Sequence, residues 1–303
     1  RCDTFTPFTL SSVPDEDTYP FSLAVGDTNA DGLKDVCVGF SHNTSREVVP
    51  GYQCIKNIDN KEYLVGSLLT FRRTYSSYAA ISVGFVGGTD FVYTPGTTLA
   101  SLYIMNNTLK TGNQLLSNVV SFYEPNSTKL GPNILTTDLN NDGYQEIVSS
   151  DQDFAIQVFF NKKDGTFNTY VDYSVPYGYH FTAVADLKGD GSRDDLVVSS
   201  FQKRQISVLL NNGAGLLGAA VGYTVPSDVQ FVYPYGITAA DYDADGLDEV
   251  AVVSGSYQKN AVLSIFENLG KGKLNLSKTI LGDTCGSQSA WVTSLDLNGD
   301  SYI

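Results

Sequence analysis

The chain is poor in positive charge, in long apolar segments and in helical periodicity. Its 303 residues include 19 Lys and Arg against 33 Asp and Glu, and the net charge is −14. This balance excludes the basic surface that a nucleic-acid-binding protein needs. No segment reaches the ~20 consecutive apolar residues of a membrane-spanning helix. No window repeats apolar residues with the period of an amphipathic helix. We therefore expect no nucleic-acid partner, no membrane span and little helix.

Histidine, the commonest catalytic side chain, occurs only twice, as His42 and His180. His42 stands in a polar turn and is predicted to be a solvated loop residue. His180 precedes an apolar segment, where packing is favoured over ligand contact. No Ser-His-Asp or Cys-His-Asp grouping can be assembled from local pattern. An enzyme is therefore disfavoured, and no catalytic residue is predicted.

A nine-residue acidic loop recurs along the chain. Oxygen-bearing side chains stand at positions 1, 3, 5 and 9 of the loop, glycine stands at position 6, and position 7 can offer its backbone carbonyl. These are the donors that Ca²⁺ prefers, and glycine supplies the left-handed turn. About four structural calcium ions are predicted, on Asp27, Asn29, Asp31, Leu33, Asp35, Asp138, Asn140, Asp142, Tyr144, Glu146, Asp186, Asp190, Ser192, Asp194, Asp241, Asp243, Asp245, Leu247, Glu249, Asp296, Asn298 and Asp300.

The third and fifth copies depart from the pattern. Position 3 of the third copy is Lys188, and a charged ammonium has no lone pair to donate. We expect weak calcium binding there, or a lysine turned outward with water or an acid such as Asp195 completing the site. In the fifth copy Ser301 replaces glycine and the acid of position 9 is missing.

The spacing of the loops indicates a repeat protein. The first aspartates fall at 27, 138, 186, 241 and 296, so the first interval is about twice the others. A degenerate copy fills that interval from Ile81 to Tyr93, and Asp90 is its one remaining acid. A short apolar run precedes each loop, a β-branched run follows it, and a third run ends in an Asn/Gly turn before a fourth.

Four antiparallel strands per repeat predict an all-β fold, a β-propeller of six or seven four-stranded blades. About six repeats are visible, one degenerate and the last truncated. An EF-hand array is excluded because no helix flanks the loops, and an open β-solenoid is the alternative. Residues 1–303 are interpreted as a single propeller domain or a segment of a longer chain. An outer strand at Phe5–Leu10 would complete the last blade.

The succession of apolar strand, acidic loop, Val/Ile strand and Asn-x-Gly-x-Gly turn resembles FG-GAP/VCBS repeats over essentially the whole chain. Such repeats build the propellers of integrin α-subunits, of some fungal lectins and of many secreted proteins. The resemblance implies a calcium-binding propeller. It also implies that the metal loops lie on one face and that the connectors between blades line the opposite face.

Those connectors are rich in aromatic residues, which suit glycan stacking or protein contact. The alternative is that they fill the central channel and pack between blades. The candidate ligand-binding residues are Tyr19, Tyr177, Tyr179, His180, Tyr233, Tyr235 and Trp291.

Several features favour an extracellular location, either secreted or at the cell surface. Exposed calcium loops suit millimolar calcium, and Asn43, Asn106, Asn126 and Asn275 begin glycosylation sequons. The four cysteines allow a Cys37–Cys54 bridge within one blade and a Cys2–Cys285 bridge that clamps the ring, or they remain buried thiols.

The function expected from the sequence is extracellular recognition or adhesion, with a protein or glycan bound at the connector face. A structural subunit of an extracellular filament or coat, which self-associates, is the alternative. A secreted lyase or hydrolase on a propeller scaffold is the third.

Overall fold

The computed structural model describes the strands between residues 18 and 123 by their backbone pairing alone. Side chains are described for residues 133–150, 154–163, 167, 170–178, 181–226, 233–255, 261–281 and 292–294. Within the described chain the helical structure is the three-residue 3-10 turn Phe201–Lys203. No helix among these residues is long and apolar enough to cross a membrane.

The first two sheets come from the N-terminal part of the chain. Sheet 1 has strands in the order β1-β2-β3-β4, with β5 also pairing β3. Its strands are β1 (Thr18–Gly26), β2 (Asp35–Asn43), β3 (Val48–Asn57), β4 (Tyr63–Val65) and β5 (Leu69–Thr70). Sheet 2 has the order β6-β7-β8-β9. Its strands are β6 (Ser82–Val86), β7 (Thr89–Gly96), β8 (Ser101–Asn106) and β9 (Val119–Tyr123). The degenerate repeat is therefore a four-stranded sheet in which a two-residue connection replaces the acidic loop.

Three further four-stranded sheets follow in sequence order. Sheet 3 contains β10 (Leu130–Thr137), β11 (Glu146–Asp151), β12 (Ala155–Phe159) and β13 (Val171–Ser174). Sheet 4 contains β14 (His180–Ala185), β15 (Asp195–Ser200), β16 (Gln205–Leu209) and β17 (Val221–Thr224). Sheet 5 contains β18 (Tyr233–Ala240), β19 (Glu249–Ser256), β20 (Lys259–Asn268) and β21 (Leu274–Leu281). Neighbouring strands are antiparallel throughout these sheets. The predicted all-β fold of four-stranded antiparallel units is confirmed, apart from the short fifth strand of sheet 1.

Sheets 3, 4 and 5 pack face to face, and each sheet interface is apolar. Leu196 and Val198 of β15 pack with Ile156 of sheet 3. Val197, between them, packs on the other face with Val250 of sheet 5. Burying such a side chain contributes about 1.5–3 kcal/mol. Both faces of β15 are buried, and its three consecutive apolar residues Leu196–Val198 do not alternate with polar ones for that reason.

The first strand of each sheet contacts the first strand of the next, in the series β1, β6, β10, β14 and β18. The side chain of Asn133 accepts a 3.2 Å hydrogen bond from the Thr182 amide across one of these contacts. The hydroxyls of Thr238 and Ser294 lie 3.0 Å apart, so residues that follow sheet 5 also pack on β18. The fourth strands, β13, β17 and β21, are mostly exposed. Sheets 3, 4 and 5 thus each have an inner first strand and an outer fourth strand.

Candidate metal-binding loops

The second, third and fourth acidic loops each connect the first and second strands of a sheet, in sheets 3, 4 and 5. The opening aspartate organises each loop through backbone amides. Asp138 accepts hydrogen bonds from the amides of Asp142 at 3.0 Å and Gly143 at 2.8 Å. Asp241 accepts the equivalent bonds from Asp245 at 3.1 Å and Gly246 at 2.9 Å. The loop conformation is therefore built by the chain itself, with the position-6 glycines at φ near +86° and +89°.

The acid at position 9 is buried at the base of the loop. Glu146 accepts a 2.8 Å hydrogen bond from the Leu139 amide, and Glu249 accepts one of 2.9 Å from the Tyr242 amide. Burial raises the pKa of Glu146 to about 7, against the opposing hydrogen bonds from the amides of Leu139 and Asn161. Burial likewise raises the pKa of Glu249. Burial removes water from the carboxylate and disfavours its charged form, so a nearby cation stabilises that form strongly.

The fourth loop has the donor set that fits a hard cation best. One carboxylate oxygen from each of Asp241, Asp243 and Glu249 lies within 4.8 Å of the other two. Two oxygens that are each 2.3–2.6 Å from one Ca²⁺ can be at most about 5 Å apart. Glu249 is 5% exposed, and its buried Oε1 makes no hydrogen bond of normal geometry, although the Asn268 amide lies near enough to lower the pKa of this carboxyl. The residues present therefore fit a calcium ion. Such an ion would give Glu249 Oε1 a partner.

The third loop is one residue longer than the others, which the repeat pattern does not reveal. Its flanking strand residues Ala185 and Asp195 pair directly, as Thr137 and Glu146 do in sheet 3. Asp195 also accepts a 3.0 Å hydrogen bond from the Leu187 amide, which is the bond that Glu146 makes in its own loop. Asp195, and not Asp194, therefore corresponds to position 9.

The inserted residue is Arg193. The amide of Ser192 donates to Asp190 at 3.0 Å, as Tyr144 and Leu247 donate to Asp142 and Asp245, so the extra residue follows Ser192. Its guanidinium reaches sheet 5, where it donates to the Ala239 carbonyl at 2.8 Å and lies 3.3 Å from Asp248.

Lys188 lies inside the third loop and is not turned outward. Its Nζ is 2.9 Å from Asp194 Oδ1, 3.2 Å from Asp195 Oδ1 and 3.3 Å from Asp190 Oδ2. It also donates a 3.0 Å hydrogen bond to the Asn211 carbonyl. Burial by itself would lower the pKa of Lys188, but the hydrogen bond to Asp194 and the charge of Asp195 outweigh burial and raise it.

The Asn/Gly turn of one sheet docks on the acidic loop of the preceding sheet. The Asn211 side chain donates to the Leu139 carbonyl at 2.7 Å, and the Gly272 amide donates to the Leu187 carbonyl at 2.8 Å. A Cβ on Gly215 would lie 3.0 Å from Asn140 Cβ. The turn motif is thus an element of sheet-to-sheet packing, a role that sequence reasoning missed.

The aromatic connectors lie at the opposite end of the sheets from the acidic loops, because they precede the first strands that run toward those loops. Tyr233 stacks on Phe201 with a centroid distance of 4.4 Å, and Tyr235 meets the same ring edge-on at 5.0 Å. Tyr177 contacts Phe154 at 4.9 Å. Both Phe154 and Tyr177 are exposed, at 58% and 37%. Phe154 and Phe201 belong to this end of the molecule and were not predicted.

Other predicted residues are partly or wholly outside the described side chains. Asp35 is the first residue of β2 and pairs with Gly26. The position-9 acid Glu146 pairs with Thr137 in the same way. Tyr19 lies in β1 and His180 begins β14. Asn43 and Asn106 end strands, and Asn275 is exposed on β21. The residues outside the described part of the chain are Cys2, Asp27, Asn29, Asp31, Leu33, Asn126, Tyr179, Cys285, Trp291, Asp296, Asn298 and Asp300, together with the Phe5–Leu10 segment.

A family model described as an FG-GAP-like repeat matches residues 138–197 and 241–303. Each match begins at the first aspartate of an acidic loop and runs through the next loop. Over these two stretches the chain consists of FG-GAP-like repeats. This confirms the resemblance inferred from the sequence. Comparison of the chain with curated proteins gives no match.

Solved structures with similar folds include the periplasmic gluconolactonase PpgL of Pseudomonas aeruginosa. It is 11% identical with a TM-score of 0.56, over 86% of this chain and 72% of that chain. AofleA of Arthrobotrys oligospora is 8% identical with a TM-score of 0.48, over 88% of this chain and 73% of that chain. The Tc holotoxin pore of Photorhabdus luminescens is 16% identical with a TM-score of 0.39, over 87% of this chain. The match covers 12% of the toxin chain. The gluconolactonase similarity supports a propeller-like arrangement of the sheets.

Proposed function

We propose that this protein is a secreted, calcium-stabilised β-propeller of six or seven blades. It acts as an extracellular recognition module that binds a protein or glycan at the connector end. The series of contacting first strands and the outward-facing fourth strands support the propeller. The single observation that carries the calcium role is the buried, unpartnered Oε1 of Glu249 beside Asp241 and Asp243.

In this proposal calcium is structural. Asp241, Asp243 and Glu249 would hold the ion, which would supply the positive charge that these convergent carboxylates lack. Glu249 holds the base of the loop through the Tyr242 amide, and Asp241 shapes its turn through the amides of Asp245 and Gly246. In the second loop Asp138, Asn140, Asp142 and Glu146 would hold an equivalent ion.

The recognition surface is assigned to the exposed pair of Phe154 and Tyr177. Tyr233 and Tyr235 are engaged with Phe201, so they shape the connector end by packing. Phe154 and Tyr177 instead leave much of their rings open to solvent beside each other. Such a pair offers flat apolar area with one phenol hydroxyl, which suits stacking on a sugar face or contact with a partner protein.

A binding experiment tests the recognition role. The purified protein is applied in calcium to a glycan array and to a panel of immobilised extracellular proteins. The double variant Phe154→Ser/Tyr177→Ser should lose binding at least tenfold. The control Leu281→Ser removes an apolar side chain that is 72% exposed on the outer strand and should bind as the wild type does. Equal binding by the double variant, or no binding by the wild type to either panel, would refute the assignment.

A further inference from the structure

We propose that the third acidic loop is held together by the ammonium of Lys188 in place of a metal ion, so that this repeat is independent of calcium. The lysine is a built-in cation, supplied by the chain at the loop position where the other loops carry Asn140 and Asp243. This inference builds on the proposed calcium role of the second and fourth loops.

The contacts of Lys188 are those of a central cation and not of a surface lysine. Its Nζ lies within 3.3 Å of carboxylate oxygens from Asp190, Asp194 and Asp195. A fourth oxygen, the Asn211 carbonyl, belongs to the turn that follows β16. The single ammonium therefore connects the middle of the loop, its end, the start of β15 and the next turn of the same sheet. The lysine side chain is 18% exposed.

The hydrogen-bond inventory of the position-9 acids separates the two kinds of loop. Asp195 Oδ1 accepts a 2.8 Å bond from the Asn211 amide and also faces Lys188, while its Oδ2 accepts from the Leu187 amide. Both oxygens of Asp195 are therefore satisfied. In the fourth loop the Asn268 amide lies near enough to Glu249 to lower its pKa, but Glu249 Oε1 makes no hydrogen bond of normal geometry and faces no ammonium. Each loop meets the same need for positive charge, the third internally and the fourth through an ion from solution.

Lys188 and a calcium ion would exclude each other. The ammonium occupies the space between the carboxylates, and a divalent ion a few ångströms away would repel it strongly at low local dielectric. Lys163, beside the second loop, differs in this respect. Its ammonium lies 3.3 Å from Asp142 and 5.9 Å from the centroid of the Tyr144 ring, and the side chain is 56% exposed, so it can move away when an ion binds.

Two lysine variants and one control test the inference by thermal unfolding in EGTA. Lys188→Met replaces the lysine with another unbranched side chain but removes its charge. Three carboxylates are then left without their cation. Its Tm should fall by about 5 °C or more relative to the wild type. Lys203→Met, in the exposed 3-10 turn at the other end of sheet 4, should leave Tm unchanged. A Lys188→Met variant as stable as the Lys203→Met control would overturn the proposal.

Lys188→Asn restores the position-3 residue of the second loop and should convert the third loop into a calcium site. After dialysis against calcium, it should retain one more equivalent of metal than the wild type, and calcium should restore the Tm that the variant loses in EGTA. Calcium content equal to that of the wild type and no recovery of Tm would overturn the proposal, because the loop would then not distinguish lysine from metal.

The same measurements keep this inference separate from the proposed function. Wild-type protein that binds no calcium would refute the calcium role of the fourth loop, yet Lys188→Met would still be destabilised in EGTA. Conversely, if Asp190→Asn lowered the calcium content of the wild type by one equivalent, the third loop would already hold an ion and only the lysine proposal would fail.

Discussion

The guanidinium of Arg193 and the carboxylate of Asp248 lie 3.3 Å apart and join two neighbouring acidic loops. Arg193 is the extra residue of the third loop, and Asp248 directly precedes the position-9 acid of the fourth. The other oxygen of Asp248 accepts a 2.7 Å hydrogen bond from the amide of Asp186, where the third loop begins. One buried carboxylate therefore receives bonds from both ends of the adjacent loop.

This arrangement predicts that Asp248 matters more for stability than Arg193. Asp248→Ala leaves the buried Asp186 amide without an acceptor and should cost about 1–3 kcal/mol. Arg193→Ala removes a half-exposed partner, whose ion pair contributes about 0–1 kcal/mol. Asp248→Asn keeps an acceptor for the amide and should fall between the two. Chemical denaturation of the three variants measures the order, and an Arg193→Ala loss larger than that of Asp248→Ala would contradict it.

Two glycines of the Asn/Gly turn in sheet 4 allow the cost of backbone strain to be measured apart from the cost of lost packing. Gly213 and Gly215 have φ of +82° and +84°, but only Gly215 has close neighbours around the position of a Cβ. Gly213→Ala should therefore cost only the left-handed strain, about 1–2 kcal/mol. Gly215→Ala should lose a further 1–3 kcal/mol or so, because the methyl group would press on Asn140 and Phe160. Equal losses in thermal unfolding would show that the docking of the turn on the second loop contributes little.

Calcium removal should distinguish Asp245 from Asp190. Each carboxylate accepts one loop amide, at 2.9 Å from Leu247 and 3.0 Å from Ser192, so the two alanine variants remove the same hydrogen bond. In EGTA Asp190→Ala should be the less stable of the two by about 0–1 kcal/mol, because it also removes the 3.3 Å contact between Asp190 and the half-buried Lys188. In calcium Asp245→Ala should lose more, because a calcium concentration 100-fold above Kd contributes about 2.7 kcal/mol to a protein with an intact site. Equal losses in calcium would refute a calcium role specific to the fourth loop.

The strand register supports the predicted disulfide between Cys37 and Cys54. These residues are direct partners on the antiparallel strands β2 and β3. Opposed residues in such a pair have Cα atoms about 4.5–5.5 Å apart, within the 4.4–6.8 Å range of disulfides. Peptide mapping of the protein secreted by a eukaryotic host, without reduction, should recover the two cysteines in one cross-linked peptide. Free thiols at both positions would contradict the pairing.

Much of the fold could be read from the sequence because the repeat signals are local. The acidic loops, the β-branched runs such as Asp195–Val198 and the Asn/Gly turns each specify their backbone conformation through nearby residues. The β-hairpins that they predict around 138–146 and 241–249 are present with the expected order of strands. The degenerate repeat at Ile81–Tyr93 could be placed because its flanks keep the pattern when its acids are lost.

The tertiary structure alone decided the chemistry of the individual loops. The nine-residue spacing places Asp194 at position 9, and only strand pairing, which depends on residues of β14, shows that Asp195 takes that position. The direction of the Lys188 side chain depends on the carbonyl of Asn211, which is 23 residues away. Contacts of Arg193 and of Gly215 are made with neighbouring sheets. The sequence by itself determined the repeat, the strands and the oxygen-rich loops, because those depend on short-range backbone preferences. The folded structure determined that the ammonium of Lys188 lies among the carboxylates of the third loop and that Glu249 Oε1 makes no hydrogen bond in the fourth, because those contacts depend on groups distant in the chain.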